Sequence, residues 1–423
     1  MFGFETGIIN GSIFYVAEYF DLTDGMKGFV VSSALVGCIV GALGAGKPGD
    51  IFGRREMLKV MGLLFLLSMI GTGLANDLWI FVFARFIGGI AIGGASVLSP
   101  IYISEIAPPK MRGRLVATSQ FAIVLGILVA FFASYLIDDI GENNWRWMFL
   151  SGVFPSLLFI ILLFFIDRSP RWLVKTGRVD EAREVIKKVN PFEGVDVLIK
   201  DIQESIKIEE SDKSVNMFKK PYSKLILIGF AVGMFNQFAG INIIMYYSTD
   251  IFRIAGFDGE SALMQSVIIG LTNLTFTVIG MALIDRFGRK FLLYIGGIFM
   301  PVFLGLFSWS YISGNTEGYA LLIYLIGFIA FFAISQGAVI WVLLSEMFPT
   351  NLRARGMAIG SFSHWVFNFF ISLLFPVAVA KFGVGYVFLF FAVSTLLSLI
   401  FYRFALVETK GKSLEEIEKL VLK

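Results

Sequence analysis

Residues 41–55 read GALGAGKPGDIFGRR. Gly41, Gly46 and Lys47 match the core of a G-x-x-x-x-G-K phosphate-binding loop. That loop needs a Ser or Thr next, to hold a magnesium ion, and a strand before it. Pro48 follows instead, and the preceding run Gly28–Ala45 is apolar and uncharged. The end of the stretch decides the fold. Asp50-Ile-Phe-Gly53-Arg54-Arg55 returns 235 residues later as Asp285-Arg-Phe-Gly288-Arg289-Lys290. Glu105-Ile-Ala-Pro-Pro-Lys-Met-Arg112 returns after 241 residues as Glu346-Met-Phe-Pro-Thr-Asn-Leu-Arg353, and Ser169-Pro-Arg171 returns more weakly after 240 as Thr409-Lys410-Gly411. Offsets this similar imply two homologous halves, and parallel repeats are one signature of secondary transporters.

Composition says what surrounds these loops. Of 423 residues 57% are hydrophobic and 16% charged, whereas a soluble domain carries about 25% charged residues. Mean hydropathy is +0.80. A span needs roughly 20 apolar residues, and eleven runs qualify: 26–47, 57–75, 78–103, 114–137, 147–166, 222–249, 261–284, 291–312, 319–345, 354–380 and 384–406. A twelfth, residues 1–20, is apolar apart from Glu5 and Glu18, and its helix is expected to begin upstream of Met1. The expected architecture is an all-α membrane protein of twelve helices in two six-helix bundles. They divide as residues 1–166 and 221–406, with a linker at 167–220 bearing short amphipathic helices and a tail at 407–423.

Charge assigns the sides. Twelve Lys and Arg residues fall in short loops on one side, among them Arg54, Arg55, Arg112, Arg289 and Arg353, against four on the other. Cytoplasmic loops are enriched in Lys and Arg, so the basic side, the linker and both termini are expected in the cytoplasm. Short loops on the other side fit a bacterial inner membrane. A net charge of +3 gives no reason to expect nucleic acid, and one Cys (Cys38) with one His (His364) leaves no metal-spaced cluster and no catalytic set.

Polar side chains inside apolar spans are expensive unless they face the bundle interior or a cavity. The chain offers Gln120, Asn236, Gln237, Asn242, Asn273, His364 and Asn368, with Trp341 and Trp365. Amides supply donors and acceptors together, and an aromatic face suits the apolar side of a sugar ring. Gln237 and Asn242 lie five apart around Gly240, which can loosen the helix. Glu5 and Arg85 are the strongly charged residues within the spans of the first half. Such a carboxylate is by default a functional group.

The paired D-x-x-G-R-[RK] loops resemble those of the major facilitator superfamily. FGFETGIING, ARFIGGIAIGG, SEIAPPKMRGR, SPRWL, NQFAGINIIMYYS, WVLLSEMFP and VETKGKSLEEIE together resemble its sugar porter family, which includes bacterial xylose/hexose–proton symporters and facilitative glucose transporters. The resemblance implies monosaccharide import by alternating access, with no cofactor and no obligatory protein partner. It implies sugar contacts at Gln120, Asn236, Gln237, Asn242, Asn273, Trp341, His364 and Trp365. It implies a cytoplasmic gate of Asp50, Arg54, Glu105, Arg112, Arg171, Asp285, Arg289, Glu346 and Arg353. At the position of Glu5 the symporters carry Asp and the facilitators Asn, and Arg85 matches the partner of that Asp. An ionisable Glu5 favours symport, with a proton as coupling ion.

The sequence also departs from the family. Asp167-Arg168-Ser169-Pro170-Arg171 replaces the usual Pro-Glu-Ser-Pro-Arg, leaving Asp167 as the carboxylate available to stand in. Ile51 stands where the second copy has Arg286. Asn236 replaces a glutamine, His364 a glutamine or asparagine, and Ala338 a proline expected to bend helix 10. Two readings besides symport stay open: a facilitator with Glu5–Arg85 structural, and a non-transporting sugar sensor. The substrate is open among hexose, pentose and polyol.

Overall fold

Twelve apolar helices carry most of the described chain. The structure is a computed structural model that describes all residues except 109–110, 190–193, 212–221, 317–318, 349–351 and 411–423. Only the backbone is described at 112–114, 116–117, 208–211, 285 and 353–354. Eleven helices are long and apolar enough to cross a membrane. The shorter α1 (Phe2–Tyr19) joins them with its residues from Gly3 to Ile13 all buried. The others are α2 (Asp24–Gly44), α3 (Arg54–Gly73), α4 (Leu78–Ile106), α5 (Arg112–Ile137) and α6 (Asn144–Leu162). In the second set they are α7 (Tyr222–Ile254), α8 (Gly259–Phe287), α9 (Arg289–Ile312), α10 (Ala320–Met347), α11 (Arg353–Phe382) and α12 (Val384–Ala405). All eleven apolar runs read from the sequence have a counterpart. In hydrocarbon each backbone polar group must be satisfied within its own segment, which helices do.

The two ends of the spans stop differently. At one end side chains cap the helices. Asp77 accepts from the Trp79 and Ile80 amides to start α4, and Asp258 from the Ser261 amide to start α8. At the other end the loop motifs turn through Gly53 (φ +95°) and Gly288 (φ +93°), a left-handed region costly for other residues. Between α6 and α7, shorter helices run over Pro170–Lys175, Val179–Val189 and Val195–Ser211.

Three spans are broken where polar residues sit. In α7 the helix stops at Phe238 and restarts at Ile241, with Gly240 left-handed (φ +84°). In α10 a π-helical turn covers Ala333–Gly337, just before Ala338, so a wide turn lies where a proline bend is usual. In α6 the break falls at Gly152.

Glycines set how closely helices approach. A Cβ on Gly89 of α4 would lie 1.8 Å from the Ala34 carbonyl oxygen of α2. One on Gly37 of α2 would lie 2.1 Å from the Phe86 carbonyl oxygen of α4. Small residues let membrane helices pack backbone to backbone, and this is the structural content of ARFIGGIAIGG. The first and last six spans also meet directly, α2 against α11 and α5 against α8. We expect Gly89→Ala to destabilise the detergent-solubilised protein by about 1–3 kcal/mol, as overpacking does, read as a lower melting temperature. Gly305→Ala on α9, where a Cβ meets nothing within 4 Å, should leave it within about 0.5 kcal/mol.

Candidate functional site

The first half of the site is an ion pair in the apolar interior. Arg85 on α4 donates from Nη1 to Glu5 Oε1 at 2.8 Å. The same nitrogen approaches the Glu5 carbonyl oxygen at 3.4 Å. Glu5 is 0% exposed and Arg85 2%. Ser68 on α3 adds a hydroxyl hydrogen bond to Oε1 at 3.2 Å, while Oε2 is buried without a partner. Gly88, one turn past Arg85, makes room, since a Cβ there would lie 2.5 Å from Oε1 and 2.3 Å from the Ser68 hydroxyl. Removing either partner of such a pair strands a buried charge, at a cost of about 3–5 kcal/mol.

The second half is an amide cluster built by the α7 break. Asn242 Nδ2 donates to Gln237 Oε1 at 2.8 Å across Gly240. Gln237 Nε2 donates to Asn236 Oδ1 at 3.1 Å and lies 2.8 Å from His364 Nδ1. His364 packs between Trp341 and Trp365, with ring centroids 5.1 and 5.2 Å away. Amides with donors and acceptors of both kinds, beside two indoles, suit a neutral polyhydroxylated ring. Trp365 and Arg85 border one narrow cavity between the two sets of spans, with Thr6, Cys38 and Tyr246.

Not all the expected contacts converge. Asn273 on α8 bonds to Thr277 at 3.5 Å and approaches the Met245 sulfur at 3.9 Å. Gln120 is half-buried on α5 and makes no hydrogen bond to the α7 cluster. Asn368 donates to the Tyr246 hydroxyl at 3.1 Å. Sequence reasoning missed Ser68, Tyr246 and Gln336, which accepts from Asn236 at 3.4 Å. A hydroxyl inside a span carries little signal by itself, since it can bond its own helix. Gln336 was a polar residue in an apolar span and could have been found by the same rule as Gln237.

At the loop-motif end the repeat becomes a repeated contact. Arg54 pairs with Asp50 at 2.6 Å and Glu105 at 3.1 Å, and Ser169 donates to Glu105 at 2.5 Å. In the second copy Arg289 pairs with Glu346 at 2.8 Å, and Thr409 donates to Glu346 at 2.6 Å. Glu408 crowns that copy, accepting the amides of Arg289 and Lys290 at the start of α9 and those of Thr409 and Lys410. Burial pushes the Glu408 carboxyl up, but these four donors together hold it below its ordinary value. Its contribution is therefore present at neutral pH and lost as pH falls through that lowered value. Arg171 donates to Ser205 at 3.1 Å and lies close enough to Glu105 to act on its charge. Among the described side chains, the ion-pair partner of Asp167 lies in the linker and not in the loop motif. Asp167 pairs with Lys188 at 3.1 Å, and Arg168 faces Glu56 at 3.6 Å. The side chains of Arg112, Asp285 and Arg353 lie outside the described residues.

Among the described residues, several polar ties between the first and last six spans lie at the opposite end. Lys27 of α2 pairs with Asp250 of α7. Asn10 of α1 donates to Ser248 at 3.0 Å and accepts the Thr249 amide at 3.1 Å. Arg253 of α7 donates to the Tyr15 hydroxyl at 3.0 Å, which in turn donates to Asp138 at 2.5 Å. From sequence alone Lys27 reads only as a charge setting topology.

The family model described as sugar (and other) transporter matches residues 1–421. The chain belongs to that family. It is 37% identical to the arabinose–proton symporter of Bacillus subtilis, over all of this chain and 92% of that one. It is 35% identical to the D-xylose–proton symporter of Escherichia coli K12, over 99% and 93%. The inward-open conformation of the E. coli xylose transporter XylE superposes with a TM-score of 0.88, at 33% identity over 99% of this chain and 96% of that one. The same transporter bound to 6-bromo-6-deoxy-D-glucose gives 0.83 at 34% identity, with the same coverage. The chain thus has the major facilitator fold.

Asp250 is buried and the Lys27 side chain only 20% exposed. Removing either partner therefore strands a sheltered charge and should cost more than the roughly 1 kcal/mol of a surface pair. That is more than about fivefold in a two-state population. Spin labels on cysteines at the exposed positions Glu142 and Asn315 read the gap at that end by pulsed dipolar spectroscopy, Cys38 being buried. Lys27→Ala and Asp250→Asn should each raise the long-distance fraction, and the double variant should add nothing further. An unchanged distribution would mean the pair has no part in closure.

Proposed function

We propose that this protein imports a neutral monosaccharide together with a proton, by alternating access of one central site. The observation that carries the reading is the shared cavity. Arg85, which holds the ionisable Glu5 carboxylate, borders the same space as Trp365, and Trp365 packs on the amide cluster through His364. The activities for which two relatives are named, arabinose–proton and xylose–proton symport, agree with it. So does glutamate at position 5, which can carry a proton where an amide could not.

On this reading residues 1–166 and 221–406 are two bundles that rock about the site, and the basic loops face the cytoplasm with both termini. The Arg54–Glu105–Ser169 and Arg289–Glu346–Thr409 contacts form the cytoplasmic gate with Asp50, Arg112, Arg171, Asp285 and Arg353. The described ties Lys27–Asp250, Asn10–Ser248 and Arg253–Tyr15 join the two bundles at the far end, which supports a state closed to the outside. The protein is a transporter rather than an enzyme, needing only the sugar, the proton and the bilayer. One proton at 100 mV supports about 50-fold accumulation.

The test is external pH in de-energised cells expressing the protein. Adding D-xylose, L-arabinose or D-glucose should make the medium more alkaline for at least one sugar. Glu5→Gln should abolish alkalinisation there, and accumulation in energised cells, while keeping sugar movement down its gradient. Labelled sugar entry without alkalinisation in the unaltered protein would make it a facilitator, with Glu5–Arg85 structural.

A further inference from the structure

The amide cluster has one member with no assigned role. Gln336 sits on the π-helical turn Ala333–Gly337 of α10, 1% exposed. A π turn spends an extra residue and is found mostly where function requires it. Here it lets Gln336 face Asn236 of α7, while Trp341 further along α10 faces His364 of α11. Gln336 Nε2 is buried with no hydrogen-bond partner. A buried orphan donor destabilises the fold, so its retention needs a cause.

The direction of the hydrogen bonds supplies one. Gln336 Oε1 accepts from Asn236 Nδ2, so Asn236 presents Oδ1 to Gln237 Nε2. Gln237 then turns its Nε2 side to His364 and its Oε1 to Asn242 Nδ2. An amide has two faces of opposite hydrogen-bonding sense, and what flips one flips its neighbour. Gln336 stands at the head of this series.

The geometry points to Gln336 as the residue that fixes the donor–acceptor polarity of the sugar-binding amides, and through them which sugar epimer is preferred. Epimers differ in where a hydroxyl lies, so they differ in whether a fixed N–H or C=O is met or left unpaired. A site built to hydrogen-bond a hydroxyl discriminates strongly for that reason. Gln336 acts through Asn236 and Gln237 and is a positioning residue. The inference rests on the sugar-transport reading above, but not on proton coupling.

Quenching of tryptophan fluorescence in the purified full-length protein measures binding of D-xylose, L-arabinose and D-glucose separately. Gln336→Met keeps the volume and removes both the acceptor and the orphan donor. It should change the ratio of dissociation constants between the C4 epimers D-xylose and L-arabinose tenfold or more, with the melting temperature unchanged or raised. Gln336→Glu, which restores an acceptor oxygen, should move the ratio back toward that of the unaltered protein. If Gln336→Met shifts all three constants by one common factor, or shifts none, the polarity role is wrong and the sugar reading stands. A lowered melting temperature with unchanged ratios would make Gln336 structural. If the unaltered protein binds none of the three sugars, both this inference and the sugar reading fall.

Discussion

Arg85 carries a full charge into the middle of an apolar span, and much of the first six helices is arranged around it. In hydrocarbon that charge needs an anion, and Glu5 supplies it from α1 at 2.8 Å. The carboxylate needs space and a second donor, which Gly88 and Ser68 provide from α4 and α3. The pair thus ties three helices. Its location also matters, because Arg85 borders the cavity between the two sets of spans. A structural ion pair could sit anywhere in the bundle interior. This one sits beside the cavity between the two sets of spans, where on the transport reading the helices part for a substrate to pass.

The internal repeat is more than a relic of duplication. The offset that aligns Ser169 with Thr409 in sequence aligns two hydroxyls donating to two glutamates, each paired with the arginine of its own glycine turn. The halves then diverge where their tasks differ. Only the second copy adds Glu408, whose oxygens accept the first amides of α9. The first copy instead presses Trp172 against Gly53, with its indole N–H on the Asp50 carbonyl at 3.1 Å. Two solutions satisfy the same turn, one by a carboxylate and one by an indole.

Legibility followed the cost of burying polar atoms. Spans were plain because a soluble fold rarely needs twenty apolar residues in a row, and Gly240 as a break between Gln237 and Asn242 could be read from its spacing. Glu5, Arg85 and the α7 amides stood out because charges and amides are rare in such runs. Ser68 did not, because a serine can satisfy itself on its own helix, as Ser12 does on Ile8. The Lys27–Asp250 contact was invisible for another reason. Both residues sit near span ends, where charges are ordinary, and only the folding of α2 against α7 brings them together. The π turn of α10 has no local signature either, since AISQGAV is an ordinary helical run. Its only hint was the absent proline at Ala338.

On the symport reading, coupling needs the Glu5–Arg85 pair and the amide cluster to feel one another, and their arrangement allows this without direct contact. Between the Glu5 carboxylate and the amides stand the cavity, Trp365 and His364, with Phe2 of α1 packed 6.0 Å from the Trp365 ring. α1 therefore touches both: it carries Glu5 on one turn and meets the aromatic wall of the amide cluster with Phe2, three residues earlier. At its far end the same helix carries Asn10 and Tyr15, which tie it to α7 beyond the Gly240 break. A helix held at the cavity by an ion pair, at the aromatic wall by a ring and at the closed end by hydrogen bonds cannot shift at one point alone. On the symport reading, neutralising Glu5 would free Arg85 from its anion, and α1 is the element that joins that pair to the contacts between the two halves.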